Sequence, residues 1–538
     1  MTATITPYRS SQQTARDGFT QLVRSEWTKF RTVRGWVIAM CAAALLTALA
    51  PIELSATAQN HNSLDTVATG PAGDAVIDDF YFVHQPLTGN GSITVRVTSL
   101  HGVGPMPQLP SGFTPFPRTQ PWAKAGLIVK ASSRPGSPYA AMMVTGGHGV
   151  RMQYDFTHDT AGLAGAASVA SPRWLRLTRS GDTLTGYAST DGTHWTEVGT
   201  ADLAGLPSTV QAGLFAASPA YMQANQSFGG NNNGIGGGPS QAAAVLDHLR
   251  LTGSWPARSW TGGQIGGGEG GPASIIQSNG GKVTVQPGAP GPASPDHFRQ
   301  AAGTFTVAGS GDIAPYEPVT DPLLVCFYGT LIGLIVVIAL GAMFITAEFR
   351  RGLIRTTLAA TPRRARVLAA KALVAGSVTF AAALVGAAVA FPIAQHMLNR
   401  NGWKAPYYQV IPLFSTTGLR IVLGTAGLLA VAAILALAAG AVLRRGAGAV
   451  TSVVALVVFP LILAVVLPLS PANWLMRLTP AAAFSVQQAV PQYSQVSHSC
   501  LPYNGCYPLA PWAGFGVMCL WALAALAGAM FLLRRRDV

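Results

Sequence analysis

The sequence predicts an α-helical polytopic membrane protein with six transmembrane helices and an all-β jelly-roll sandwich inserted between the first and second of them. Three observations predict this class. Of the 538 residues, 49% are hydrophobic and only 10% are charged, against about 25% charged residues in a soluble domain. Six apolar runs reach the length of about 20 residues that ~30 Å of hydrocarbon demands. Between the first two runs, many short segments alternate apolar and polar residues, the period of half-buried strands.

The six runs fall at about 35–55, 323–346, 372–394, 419–442, 448–469 and 511–533. Open backbone groups cannot be left unsatisfied in lipid, so each run is expected to be a helix. The first lacks the small-residue cleavage pattern of a secretory signal and reads as an anchor. Lys and Arg near the helix ends set the orientation. Arg24, Lys29, Arg31 and Arg34 precede the first run. Arg350, Arg351, Arg355, Arg363, Arg364, Arg366 and Lys371 crowd the connection after the second, against one acid, Glu348. Arg444 and Arg445 separate the fourth and fifth, and Arg534, Arg535 and Arg536 follow the sixth. Six alternating helices put all of these on the cytoplasmic side, with both termini. The chain's +14 charge therefore points to a membrane surface and not to nucleic acid. The expected location is the cytoplasmic membrane, with residues 56–322 extracellular and lipids as partners.

The 56–322 segment carries strand-like runs at 92–100, 124–132, 139–146, 150–157, 173–199, 210–218 and 243–253, with another at 303–313. Short strands broken by Gly, Asp and Pro suggest a sandwich. Arg179-Ser180-Gly181-Asp182 and Thr190-Asp191-Gly192-Thr193 mark tight turns. Gly-rich patches at 228–240 and about 261–295 are expected as a flexible loop and a linker. Trp122, Trp174, Trp195, Tyr139 and Tyr154 are candidates for a ligand platform, with core packing as the alternative. The aspartates sit mostly in turns, where Asp bonds to nearby backbone, so no catalytic pair is assigned and the chain is not expected to be an enzyme. His spacing marks no metal site. In the last outer loop, Cys500 and Cys506 enclose a turn-prone Leu501-Pro502-Tyr503-Asn504-Gly505. An oxidising compartment favours a disulfide there, two free thiols being the alternative.

The run interiors hold almost no ionisable residues; Glu53 and Arg420 lie near ends. This disfavours an ion-coupled transporter. The opening from Phe19 to Arg34 interleaves Leu22, Val23, Trp27 and Phe30 with Arg24, Lys29 and Arg31, as in a helix lying in the headgroup plane. No phosphate-cradling G-x-x-x-x-G-K-[ST] motif is present: Val283 follows Gly281-Lys282 and Ile276 stands five residues before the Gly.

SEWTKFRTVRGW (25–36), the 346–373 stretch, ALAAGAVLRRGAGAV (436–450) and NWLMRLTPAAAF (473–484) together resemble the permeases of actinobacterial ABC-2-type transporters. The resemblance covers all six runs and implies an exporter subunit that pairs with a separate ATPase, as a homodimer or a heterodimer with another permease. ATP and magnesium would be bound by that partner, with no cofactor on this chain. The resemblance assigns ATPase coupling to Glu348, Arg351, Gly352, Pro362, Arg363 and Lys371, and an interfacial helix to Trp27, Lys29, Phe30 and Arg31. Residues 78–99, 121–132, 137–155, 173–200 and 210–218 resemble bacterial concanavalin A-like, laminin G-like jelly rolls. That resemblance implies extracellular glycan or substrate as a ligand. The competing expectation is a membrane-anchored carbohydrate-binding receptor without transport.

Overall fold

The computed structural model describes residues 18–59, 67–105, 115–225, 234–238, 240–256, 259–266, 274–277, 283–286, 298–318, 321–353, 364–496 and 506–535. Two bodies follow from the composition: a helix bundle and a large β-sheet domain. Six helices are long and apolar enough to cross a membrane: Arg34–Thr57, Pro322–Arg350, Arg364–Arg400, Thr416–Leu443, Gly446–Val466 and Pro511–Arg535. The second is broken near Tyr328 into Pro322–Phe327 and Thr330–Arg350. An amphipathic helix, Phe19–Thr32, precedes the first. A short helix, Leu469–Leu478, and a fully buried 3-10 segment, Pro480–Gln487, lie between the fifth and sixth.

Close backbone approach at glycine holds the bundle together, since lipid offers no hydrophobic drive between helices. The fourth helix is the most enclosed. A Cβ at Gly341 of the second helix would lie 2.4 Å from Ala433 O of the fourth. Gly386 of the third would meet Ala44 O of the first at 2.7 Å. One buried amide crosses the bundle: Gln487 Nε2 donates to Thr425 Oγ1 at 3.1 Å and Thr330 Oγ1 at 3.3 Å.

The basic helix termini share one end of the bundle. Arg364 Nη1 donates to Leu533 O at 2.6 Å, the Arg444 guanidinium lies 5.4 Å from the Phe349 ring, and Trp36 meets Phe344 edge-on at 5.8 Å. The third helix begins at Arg364, well ahead of the expected 372, so Lys371 falls inside it and is buried.

The β domain is jelly-roll-like and nearly closed, built mainly from one large sheet. Its spine is the long strand Phe80–Pro105, of which the expected 92–100 run is only the later part. The early half pairs antiparallel with Thr209–Ala217 and Thr261–Ile265. The later half pairs with Arg173–Ser180 and Gln241–Ser254. Strict alternation of burial along Arg173–Ser180 gives the period of 2 that buries Leu175 and Leu177 against Val95 and Val97. Gly181 takes φ +64° at the turn into Thr183–Ser189. Of the Gly-rich stretch expected as a linker, the start forms the strand Thr261–Ile265 and most of the rest lies outside the described residues, while Gly234–Gly238 of the other patch pairs with Tyr221–Asn225. Small residues permit both pairings, and glycine content alone does not distinguish a loop from a strand.

Two strands, Ala75–Asp78 and Ile313–Pro315, pair antiparallel where the chain enters and leaves this domain. Buried ion pairs fasten both to the strand Lys124–Lys130. Lys130 Nζ meets Asp78 Oδ2 at 2.6 Å with neither side chain exposed, and Lys124 Nζ meets Asp312 Oδ1 at 2.6 Å. The domain rests on the bundle end opposite the arginines. Ala75 N donates to Pro406 O at 3.1 Å, Gln495 Nε2 to Phe156 O and Thr157 O at 3.2 Å, and Tyr493 N to Glu317 Oε1 at 2.6 Å.

Overpacking at the glycine contacts is expected to loosen the bundle. Gly341→Val should lower stability by about 1–3 kcal/mol, whereas Gly528→Ala, where a Cβ meets nothing within 4 Å, should not. Thermal unfolding of the purified chain in detergent checks the difference.

Candidate functional site: a buried charge quartet at the basic end

Four charged side chains meet where three elements converge. Lys371 Nζ donates to Glu26 Oε2 at 2.6 Å and to Glu348 Oε1 at 2.7 Å. Lys29 Nζ donates to Glu26 Oε1 at 2.7 Å and Glu348 Oε1 at 3.2 Å. Glu26 and Lys29 come from the amphipathic helix, Glu348 from the end of the second long helix, and Lys371 from the start of the third. Two acids and two bases balance. The Lys371 and Glu26 side chains are each 1% exposed, and Lys29 is 43% exposed, so the quartet has a closed inner half and a wet rim.

Local sequence explains the convergence. In the amphipathic helix, Glu26, Lys29 and Phe30 follow i, i+3, i+4 spacing and share a face. Phe30 is buried against Phe344, edge-on at 6.1 Å, and the Lys371 ammonium sits 4.8 Å from the same Phe344 ring. The apolar contacts thus fix the helix on the bundle with its acid turned inward. Burial pushes the Lys29 pKa down, but bonds and charge from Glu26 and Glu348 outweigh it and leave the pKa above its ordinary value. A lysine whose pKa is raised on folding keeps its stabilising contribution at all pH below its ordinary value and loses it only as pH climbs through the higher one. The quartet is therefore charged at neutral pH on the Lys29 side. Glu348 Oε2 is buried with no hydrogen-bond partner, an acceptor left over by the count.

The expected coupling residues divide. Glu348 and Lys371 face each other inside the quartet, so neither presents its charge outward. Arg351 caps the second long helix and is exposed, followed by exposed Gly352 at φ +68°. Pro362 and Arg363 lie outside the described residues, as does Cys500; Cys506 is disulfide-bonded. Of the interfacial set, Trp27 and Arg31 are exposed, Lys29 stands at the rim and Phe30 is buried. Glu26 escaped sequence reasoning. Its signal is a lone acid on the apolar side of a basic amphipathic helix, four residues before an inward-facing Phe.

The five aromatics expected as a ligand platform do not form one surface. Tyr139 is completely enclosed, in a strand with every residue buried, against Phe156 at 4.9 Å. Trp122 is buried and stacked on His148 at 3.9 Å. Tyr154 is half-buried and stacked on His158. Trp174 and Trp195 are half-buried, each beside an arginine, Arg96 at 5.7 Å and Arg176 at 3.9 Å. Core packing claims Tyr139, and Trp122 is buried beside His148 and Arg151. Among the described residues no cluster of His, Cys, Asp or Glu is arranged to hold a metal ion.

No protein-family model matches the chain, and no curated protein matches it. Among solved structures it is similar to a functionally unknown protein from Saccharomyces cerevisiae, at 15% identity and TM-score 0.21, over 37% of this chain and 86% of that one. It is similar also to the GH43 protein BlXynB from Bacillus licheniformis, at 14% identity and TM-score 0.18, over 31% of this chain and 28% of that one. A third is scytalido-glutamic peptidase, at 9% identity and TM-score 0.23, over 39% of this chain and 98% of that one.

Removing one member of a buried charge group strands the others, at about 3–5 kcal/mol. Lys371→Met is expected to fall in that range by thermal unfolding. The charge-balanced pair Lys371→Met with Glu26→Gln should recover more than half of the loss. A double variant no more stable than Lys371→Met would show that the quartet is not coupled.

Proposed function

We propose that this chain is the permease subunit of an ABC-2-type, ATP-driven exporter. In this reading the basic end of the bundle faces the cytoplasm with both termini, and the jelly roll sits outside, inserted between the first and second spans. A separate ATPase binds ATP and magnesium and docks at the basic end. The permease works as a homodimer or with a related permease. The sandwich receives, hands on or gates the exported molecule, or holds envelope glycan.

One observation carries the reading. The quartet joins the amphipathic helix to both helices that flank the 351–363 connection, so a push on that connection reaches three elements through charged contacts that cannot be separated cheaply. A relay from an ATPase to the spans needs such a rigid joint beside an exposed docking surface. Arg351, exposed and next to the joint, supplies charge for an acidic partner surface. A receptor that only anchors a sugar-binding domain has no use for a joint at the far end from the sandwich.

Co-purification with the candidate ATPase tests this. Arg351→Glu, outside the quartet, should weaken ATPase association about tenfold or more and reduce ATP turnover in the complex. Arg134→Glu, exposed on the sandwich, should change neither. Unchanged association and turnover in Arg351→Glu would favour the anchored receptor.

A further inference from the structure

A cavity of about 300 Å³ opens where the sandwich meets the end of the bundle away from the arginines. Four stretches wall it: the start of strand Ala75–Asp78, residues 315–318 and 321–323 leading into the second long helix, residues 395–417 from the end of the third helix to the start of the fourth, and 489–493 after the 3-10 segment. Five aromatic side chains line it: Tyr316, Trp403, Tyr407, Tyr408 and Tyr493. Four of them pair edge to face, Tyr316 with Tyr407 at 5.2 Å and Trp403 with Tyr408 at 4.7 Å. Aromatic rings carry a negative quadrupole on their faces, which attracts cations.

Charge at the wall has the same sense. Asp74 and Asp321 line the cavity, and among the described lining residues there is no Lys, Arg or His, in a chain of net charge +14. Asp321 is held in place: Oδ1 accepts from Leu324 N at 3.0 Å, and Oδ2 from Ala489 N at 2.5 Å and Val490 N at 3.1 Å. Asp74 Oδ1 accepts from Gln409 Nε2. Arg420 is not among the lining residues; its Nη2 donates to Gln488 O at 2.5 Å. A void of this size suits a small ligand. The aromatic rings and the Asp74 carboxylate favour a cation over an anion or a neutral apolar molecule.

We propose that this cavity binds a bulky organic ammonium, a tertiary or quaternary amine joined to an apolar body. Two sources carry that chemistry, a free amine and the headgroup of a choline lipid. The site stands on its own walls and does not rest on the transport reading.

The test uses the full chain in phosphatidylglycerol nanodiscs, titrated with benzyltrimethylammonium by calorimetry. Neopentylbenzene, with carbon in place of the charged nitrogen, is the neutral control. Saturable binding of the cation is expected, about fivefold or more tighter than the control. Tyr407→Leu should weaken it about fivefold while Tyr407→Phe preserves it, with the unfolding temperature of each variant recorded. Tyr408→Leu and Tyr408→Phe carry the same comparison should Tyr407→Leu unfold. Phosphatidylcholine added to the nanodisc assigns the source: a lower apparent affinity identifies the lipid headgroup, and an unchanged one a free amine. Equal affinity for the neutral control, absence of saturation, or a folded Leu variant with wild-type affinity would overturn the proposal.

Discussion

A charge left unpaired in hydrocarbon costs about 2.5–3.5 kcal/mol on insertion scales, and this constraint orders the rest of the molecule. It pushes the arginines toward the helix termini, and Arg364 and Arg444 lie at one end of the bundle. It leaves the opposite end for the β domain. At the one place where a helix of the bundle encloses a lysine among the described residues, two carboxylates hold the ammonium and a second lysine balances them. Glycine then lets the spans approach closely enough for their own backbones to touch.

The two ends are built differently. At the basic end a charged joint lies beside exposed arginine, which suits the docking of a partner. At the other end the sandwich is anchored by buried ion pairs on the very strands through which the chain enters and leaves it. Gln495 reaches from the last loop into the 156–157 turn of the sandwich, and Asp321 ties that loop to the start of the second long helix. These bonds join the sandwich to the start of the second helix and to the 489–495 segment. In the proposed arrangement these linkages connect the outer domain to the spans that an ATPase moves from within.

Much of this architecture is legible in the sequence, for physical reasons. Six apolar runs almost without charge leave little choice but helices, and alternation along Arg173–Ser180 shows which side of the strand is buried. The quartet was half legible. Glu348 and Lys371 stand out as an acid and a base flanking a basic loop, yet nothing local pairs Glu26 with a lysine 345 positions away. Lys371 also hid because an apolar window is drawn to end at a charge, while the real helix continues to Arg364. The platform aromatics misled for a related reason: a Tyr in a strand is the same letter whether its strand is central or on the surface, and Tyr139 lies in a strand buried on both faces. Glycine-rich stretches read as linkers because propensity weighs against them, although pairing with a long neighbouring strand overrides it.

Two-sided thiol labelling addresses the arrangement most directly. Single cysteines at Arg351, beside the quartet, and Arg134, on the sandwich, would be challenged with a membrane-impermeant maleimide on intact cells and again after permeabilisation. The expected result is labelling of position 134 in intact cells and of position 351 only after permeabilisation. Labelling of position 351 in intact cells, with position 134 protected, would contradict the orientation on which the coupling role of the basic end depends.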